Sequence, residues 1–211
     1  MGSNKCFHLL NGVNNGTSKY SITSTSNIEL SPTGGVFDST KPCYHSLSDS
    51  AATAITFKTD TTDESLKTST YTIELRVNPI KWNYSHHNTL MSFPWSDQCA
   101  IEGSYSGFYY NDKSTGDIWT DLSKSEDKPA NGKWFHYAVC QEKGVYWIWY
   151  NDRLLTQFSV TSPYVADFNT INIFKYNGAN PACYGYVDDV KITVGAALYK
   201  TSTFLKKLKQ Y

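Results

Sequence analysis

The chain has 211 residues, with 19 Lys and Arg against 19 Asp and Glu, a formal net charge of zero. That balance gives no electrostatic reason to expect a nucleic-acid partner, and no apolar run approaches the ~20 residues of a spanning helix, so no membrane insertion is expected. Sixteen Tyr, ten Phe and six Trp beside abundant Ser and Thr favour strands over helices, and the length suits one large β domain.

Taken in order, Phe7-His8-Leu9-Leu10 predicts a first strand, followed by an Asn-Gly-rich loop to Gly16. Tyr20 to Leu30 is Ser/Thr-rich and reads as an edge strand, closed by the turn Pro32-Thr33-Gly34-Gly35. Val36-Phe37-Asp38, Cys43 to Leu47 and Ile55-Thr56-Phe57 are short strand candidates, and the polar run Asp60 to Ser69 is a loop. Tyr71 to Pro79 is the strongest single strand. Tyr71, Ile73, Leu75 and Val77 make one apolar face, and Pro79 is expected to end it. Asn88 to Phe93 and Gln98 to Ile101 follow. Ser106 to Asn111 and Gly116 to Thr120 form a hairpin turned at Asp112 to Thr115, and a charged loop runs from Ser123 to Gly132.

The most informative stretch comes next. Trp134 to Cys140 and Val145 to Asp152 are aromatic and β-branched runs around Gln141-Glu142-Lys143-Gly144. They predict a hairpin, and Asn151-Asp152 turns it into a third strand from Leu154 to Val160. Alternation places Phe135, Tyr137 and Val139 on one face and Trp134, His136, Ala138 and Cys140 on the other. In the partner strand Tyr146, Ile148 and Tyr150 oppose Val145, Trp147 and Trp149. Both faces are apolar, so this sheet is either covered on both sides or presents rings to something outside. Thr170 to Phe174 and Gly185 to Thr193 close the domain around an irregular loop, Lys175 to Tyr184. No linker or internal repeat is visible. The expected fold is one domain, residues 1–211, of about a dozen short strands: an all-β, two-sheet antiparallel β-sandwich of jelly-roll type.

Five cysteines (Cys6, Cys43, Cys99, Cys140, Cys183) with no CxxC pair argue against a zinc site and a full disulfide framework. They read as buried free thiols of a chain folded in a reducing compartment, with one bridge plus three thiols as the alternative. Met1 to Lys5 leads into only a short apolar stretch, so no secretory leader is expected, unless the Met-Gly-Ser start replaces a removed one. Lys200, Lys206, Lys207 and Lys209 form a charge cluster, read as a solvated tail or docking contact.

The segments Tyr71 to Pro79, Trp134 to Leu155 and Ile171 to Phe204, with Gly34 to Leu47, resemble the laminin-G-like, concanavalin A-like jelly rolls. Trp134, His136 and Ala138 match that family's Trp-x-His-x-Ala strand. Gly185, Tyr186, Asp188, Asp189 and Val190 match its closing strand, and Asn151-Asp152 stands where the family usually has Asn-Gly. The resemblance covers about residues 34–204. Residues 1–33 resemble nothing recognisable and are expected to add strands to the same domain. Gly195 to Tyr199 with Thr201 to Phe204 is similar to endings found in bacteriophage structural proteins and bacterial surface proteins of this fold. These motifs specify fold far better than function.

Related jelly rolls include glycoside hydrolases, whose carboxyls sit on one strand as Glu-x-Asp-x-Glu. None of the six Glu here has another two or four residues away, and Glu74 has Arg76 as its same-face neighbour, so no enzyme is expected. No Gly-x-Ser-x-Gly elbow exists. His86-His87 reads as a solvated loop pair rather than a metal site, His136 as a sheet histidine, and Asp188-Asp189 as a brace of neighbouring backbone. Family members often bind calcium through loop carboxylates. The candidates here are Asp97, Asp112 and Asp117, with Asp38 and Asp121, none at a marked spacing.

Flat rings stack on sugar C–H faces while Asn and Asp read hydroxyls. The candidate carbohydrate-binding residues are therefore Trp82, Tyr84, Trp95, Tyr109 and Trp119 in or beside loops, and Trp147 and Trp149, whose alternative is a core covered by terminal strands. The resemblance implies a non-catalytic binding module. One expectation is a bacteriophage virion surface protein (capsid decoration, fibre or tail component) that adheres to a host glycan or docks on virion proteins, with homo-oligomerisation expected for a structural role. The alternative is a secreted extracellular bacterial lectin domain, or the binding module of a larger glycoside hydrolase.

Overall fold

The structure, a computed structural model, describes residues 4–95, 101–123, 128–175 and 181–200. Asp97, Cys99, Lys206, Lys207 and Lys209, singled out above, lie outside the described residues, as does most of the start of the Gln98 strand. The described strands run β1 (Asn4–Leu10), β2 (Val13–Asn14), β3 (Tyr20–Ser26), β4 (Ile28–Ser31), β5 (Cys43–Ser46), β6 (Ala54–Thr59), β7 (Lys67–Thr68), β8 (Tyr71–Lys81) and β9 (His87–Ser92). They continue β10 (Ile101–Ser104), β11 (Gly107–Asp112), β12 (Gly116–Asp121), β13 (Phe135–Glu142), β14 (Val145–Tyr150), β15 (Arg153–Ser159), β16 (Ala166–Asp167), β17 (Thr170–Ile173) and β18 (Tyr184–Val194). The helical element among the described residues is one 3-10 turn, Glu64–Leu66, capped by the Asp63 carboxylate on the Ser65 amide. No helix here is long and apolar enough to cross a membrane.

Two antiparallel sheets form a sandwich. One has nine strands, ordered β15-β14-β13-β8-β18-β1-β2, with β5 on β18 and β4 on β5. The other has seven, ordered β12-β11-β10-β9-β17-β6-β3. The centre of the first is the pair β8 and β18, which runs from Tyr71↔Val194 to Tyr184↔Lys81 with register shifts between Asp188 and Lys191 and between Tyr184 and Gly185. The aliphatic face of β8 points inward, and Tyr71, Ile73, Leu75 and Val77 are fully buried. Pro79 does not end β8. It lies beyond the last β13 partner, Phe135↔Val77, so its missing N–H removes no ladder bond, and its carbonyl accepts from the Gly132 amide at 2.7 Å. Val36-Phe37-Asp38 is not a strand: the Val36 amide is tied to Asp188 Oδ2 at 3.1 Å and Phe37 lies under the Arg76 guanidinium.

The meander β13-β14-β15 forms as its alternation demands, with Asn151 in the left-handed region (φ 51°) at the second turn. Phe135, Tyr137, Val139, Tyr146, Ile148 and Tyr150 join the main core between the sheets. Ring packing is dense there, with Phe108 tilted on Tyr137 at 4.6 Å and Tyr146 stacked on Phe158 at 5.0 Å.

Candidate functional site

Each sheet turns one face to the core and one outward, and the two outer faces differ. On the nine-stranded sheet, Ala138, Cys140, Trp147 and Trp149 form a second buried cluster with Ala197. Residues 196–200 cross this face as a strap. The Trp149 indole donates to the Tyr199 carbonyl at 2.8 Å, the Leu198 amide donates to Thr72 Oγ1 at 2.9 Å, and Thr72 Oγ1 donates to the Ala196 carbonyl at 3.0 Å.

Charges are buried beneath and beside the strap. Glu74 Oε2 accepts from Tyr199 OH at 2.5 Å and lies 3.3 Å from His136 Nε2, and Lys191 Nζ is 3.5 Å from Glu74 Oε1. Burial alone would raise the Glu74 carboxyl. The His136 bond, the Lys191 charge and the Tyr199 hydroxyl outweigh it and hold the group at about 2. Asp189 is likewise held at about 2 against burial by His8, Lys191 and Arg76. Asp188 braces backbone, accepting from the amides of Asn11, Val36 and Asp189, and its carboxyl is raised because burial dominates.

The outer face of the seven-stranded sheet is exposed at its β12 edge, at Asp117, Trp119 and Asp121, while Thr89, Ser92, Glu102 and Ser104 on the same face are buried. Register aligns one row across four strands: Trp119 opposite Tyr109, Tyr109 opposite Glu102, Glu102 opposite Thr89. The neighbouring row is Asp121, Gly107, Ser104 and His87, and on the other side Asn111 faces Asp117. Trp119 is 39% exposed and its ring lies 4.6 Å from that of Tyr109, tilted by 40°. Gly107 makes this possible, since a Cβ there would fall 2.5 Å from the Trp119 ring and 2.2 Å from the Thr120 carbonyl oxygen. His87 pairs with Glu102, and its ring sits 6.4 Å from that of Tyr109. Asn111 Nδ2 donates to Asp117 Oδ1 at 2.7 Å. Below these groups, Ser104, Thr89 and Ser92 are completely buried, and their hydroxyls have no hydrogen-bond partner.

The aromatic candidates therefore divide. Trp82, Trp95, Trp147 and Trp149 are core residues and offer no free ring face. Trp82 packs edge-on against Phe108 and Phe135 under Gly103, and its indole donates to the Tyr105 carbonyl. Trp95 stacks on Phe93 at 4.7 Å, while Trp147 and Trp149 lie against the strap segment. Tyr84 is exposed but apart, its hydroxyl on the Pro129 carbonyl and Lys128 over its ring. Tyr109 and Trp119 come together. Glu102, Ser104 and exposed Tyr105 were not named as site residues from the sequence, because cross-strand register, which a single strand cannot reveal, places Glu102 in this row and Ser104 in the next.

The calcium candidates do not converge. Asp112 is buried and saturated: Oδ1 accepts from the amides of Ser114 and Thr115 and from Ser114 Oγ, and Oδ2 from Tyr110 and Tyr146 hydroxyls. It anchors the hairpin turn and leaves no lone pair for a cation. Asp38 caps Thr40, Asp121 caps Ser123, and Asp117 holds Asn111. Among the described residues no three His, Cys, Asp or Glu side chains are grouped to hold a metal. Cys6, Cys43, Cys140 and Cys183 are buried free thiols. Burial pushes Cys6 up to about 11 and Cys43 and Cys140 to about 12, which leaves them unreactive.

No family model and no curated protein matches the chain in sequence. Solved structures do match in shape. The botulinum neurotoxin type G receptor-binding domain aligns at TM-score 0.68 and 15% identity over 97% of this chain and 50% of its own. The binding domain of Paraclostridial Mosquitocidal Protein 1 aligns at 0.68 and 15%, over 97% and 51%. The botulinum neurotoxin serotype D ligand-binding domain in complex with N-acetylneuraminic acid aligns at 0.68 and 11%, over 97% and 50%. At these identities the likeness is one of fold, a β-sandwich found in receptor-binding domains. The chain spans about half the length of each.

Proposed function

We propose that the chain is a non-catalytic binding module, a single laminin-G-like, concanavalin A-like jelly-roll domain, that takes a glycan on the outer face of its seven-stranded sheet. The observation that carries this is the Tyr109–Trp119 pair, held partly exposed over Gly107 beside Asn111, Asp117 and the His87–Glu102 pair. Rings supply the stacking surface and the flanking polar groups read hydroxyls. The fold neighbours are receptor-binding domains, one of them in complex with a sugar, which supports a binding role. Hydrolysis is disfavoured by the placement of two strand glutamates: Glu74 and Glu102 lie on different sheets, on opposite outer faces, and do not flank one bond.

The setting we infer is the surface of a bacteriophage virion, as a decoration, fibre or tail component made in the host cytoplasm. The similarity of Gly195 to Phe204 to phage structural proteins and the buried free thiols support it. The second reading is a secreted binding module of a larger bacterial protein, favoured by the alignment to half of larger receptor-binding domains. A glycan array probed with the native chain and with Trp119→Ala tests the core of the proposal. Binding to defined glycans that the variant loses supports it. Silence on the whole array, or binding that the variant retains, overturns it.

A further inference from the structure

A second concave site shares no residue with the aromatic row. A cleft of about 550 Å³ opens between the β11–β12 turn at Lys113 and Ser114 and the loop from Val160 to Val165 that follows β15. That volume falls among small-molecule sites and suits one ring-sized ligand. The walls are fixed from beneath. Asp112 takes the amides of Ser114 and Thr115, and Ser114 Oγ accepts from the Tyr164 amide at 3.3 Å, so turn and loop are tied together. At the loop's other end the Val160 amide donates to the Gly144 carbonyl at 2.9 Å. Only glycine suits that approach: φ is 81°, and a Cβ would fall 2.5 Å from the Val160 carbonyl oxygen. Behind the loop, the Tyr164 ring packs on that of Trp95 at 5.8 Å.

The groups left on the cleft are donors. Lys113 is exposed, with its ammonium 5.8 Å from the centre of the Tyr164 ring, and it has no carboxylate partner among the described residues. The side-chain hydroxyls of Thr161, Ser162 and Tyr164 have no hydrogen bond among those residues either. The two acids nearest to Lys113 in the chain are engaged elsewhere. Asp112 is saturated by turn amides and buried phenols, and Asp117 accepts from Asn111. Lys143, next to Gly144, is a second exposed cation without an ion pair among the described residues. Val160, Pro163 and Val165 supply an aliphatic wall, and Val165 is 55% exposed. An anionic head group at Lys113 would meet an ammonium and hydroxyl donors, with C–H surface beside them for the body that carries it.

We propose that this cleft binds a ring-sized organic anion, a sugar acid or a sugar phosphate, with Lys113 as the residue that pairs with its charge. The ammonium is a point charge that serves a carboxylate or a phosphate alike. Loss of one such charged hydrogen bond amounts to about a tenfold loss of affinity.

The test titrates glucuronic acid, glucose 6-phosphate and glucose into the isotope-labelled native chain and follows amide shifts by NMR. The anions are expected to move the amides of Lys113, Ser114, Tyr164 and Val165, and glucose to bind about tenfold more weakly. Lys113→Gln, whose fold is checked by its unfolding midpoint, should weaken the anions about tenfold, and Lys113→Arg should stay within about threefold of the native chain. Added salt should weaken binding in the native chain. A response to one anion and not the other upholds the site and names its head group. No shift at these residues with either anion, an equal response to glucose, or binding undiminished in Lys113→Gln overturns the proposal. None of these readouts passes through Trp119, so the result stands apart from that of the glycan face.

Discussion

The two outer faces of the sandwich carry similar raw material and use it in opposite ways. Both present Trp, a carboxylate and a histidine: Trp149, Glu74 and His136 on one sheet, Trp119, Glu102 and His87 on the other. On the first, residues 196–200 lie over the tryptophans and spend the polar groups internally, so Trp149 is 2% exposed. On the second, the row ends in an exposed ring and a floor of unpartnered hydroxyls. Aromatic content alone therefore says little about binding. What matters is whether a segment of the chain has already claimed the face.

That contrast can be broken at its strapped side first. Trp149→Ala removes a buried ring and its bond to Tyr199, and is expected to cost about 3–5 kcal/mol in denaturant unfolding, with no specific effect on ligand affinity in the protein that remains folded. Asp112→Ala should follow at about 3 kcal/mol, since it leaves the buried hydroxyls of Tyr110 and Tyr146 and two turn amides short of their acceptor.

Acid sharpens the same comparison. Glu74 and Asp189 have folded values near 2, below their ordinary 4.5 and 3.8. Their contribution is complete above the unfolded values and is lost as pH falls from about 4.5 towards 2. Each is worth on the order of 2 kcal/mol, so unfolding midpoints should drop through that window, and Glu74→Gln should flatten the drop. The smallest stability change is expected on the open face. Trp119→Ala should shift unfolding by about 0.5–1 kcal/mol while abolishing glycan binding. A large loss of stability there would mean that the ring is structural after all.

Much of the fold was legible in the sequence. The alternation of β8 named its core face correctly, and that of β13 and β14 separated their two faces, but with both faces apolar it could not say which one met the main core. Pro79 was misread as a stop because its harmlessness depends on where β13 begins, at Phe135, a fact about a partner strand 56 residues away. The candidate site was half legible. Tyr109 and Trp119 were named, but so were Trp82 and Trp95, whose loop-like neighbourhoods hid rings that turn inward beneath Gly103 and onto Phe93. Ser104 and Glu102 carried no signal of their own, since a site built across four strands exists only in the register. The ambiguity of Trp147 and Trp149 is resolved by the segment around Tyr199, about 50 residues downstream.

The most direct measurement maps amide and indole chemical shifts of the isotope-labelled chain by NMR as a bound glycan is added. Shifts confined to Ser104, Tyr109, Asn111 and the Trp119 indole, with Trp147 and Trp149 unmoved, are what the open-face account predicts. Shifts centred on Trp147, Trp149 and Tyr199 would contradict it, and would make the strapped face the one that opens to bind.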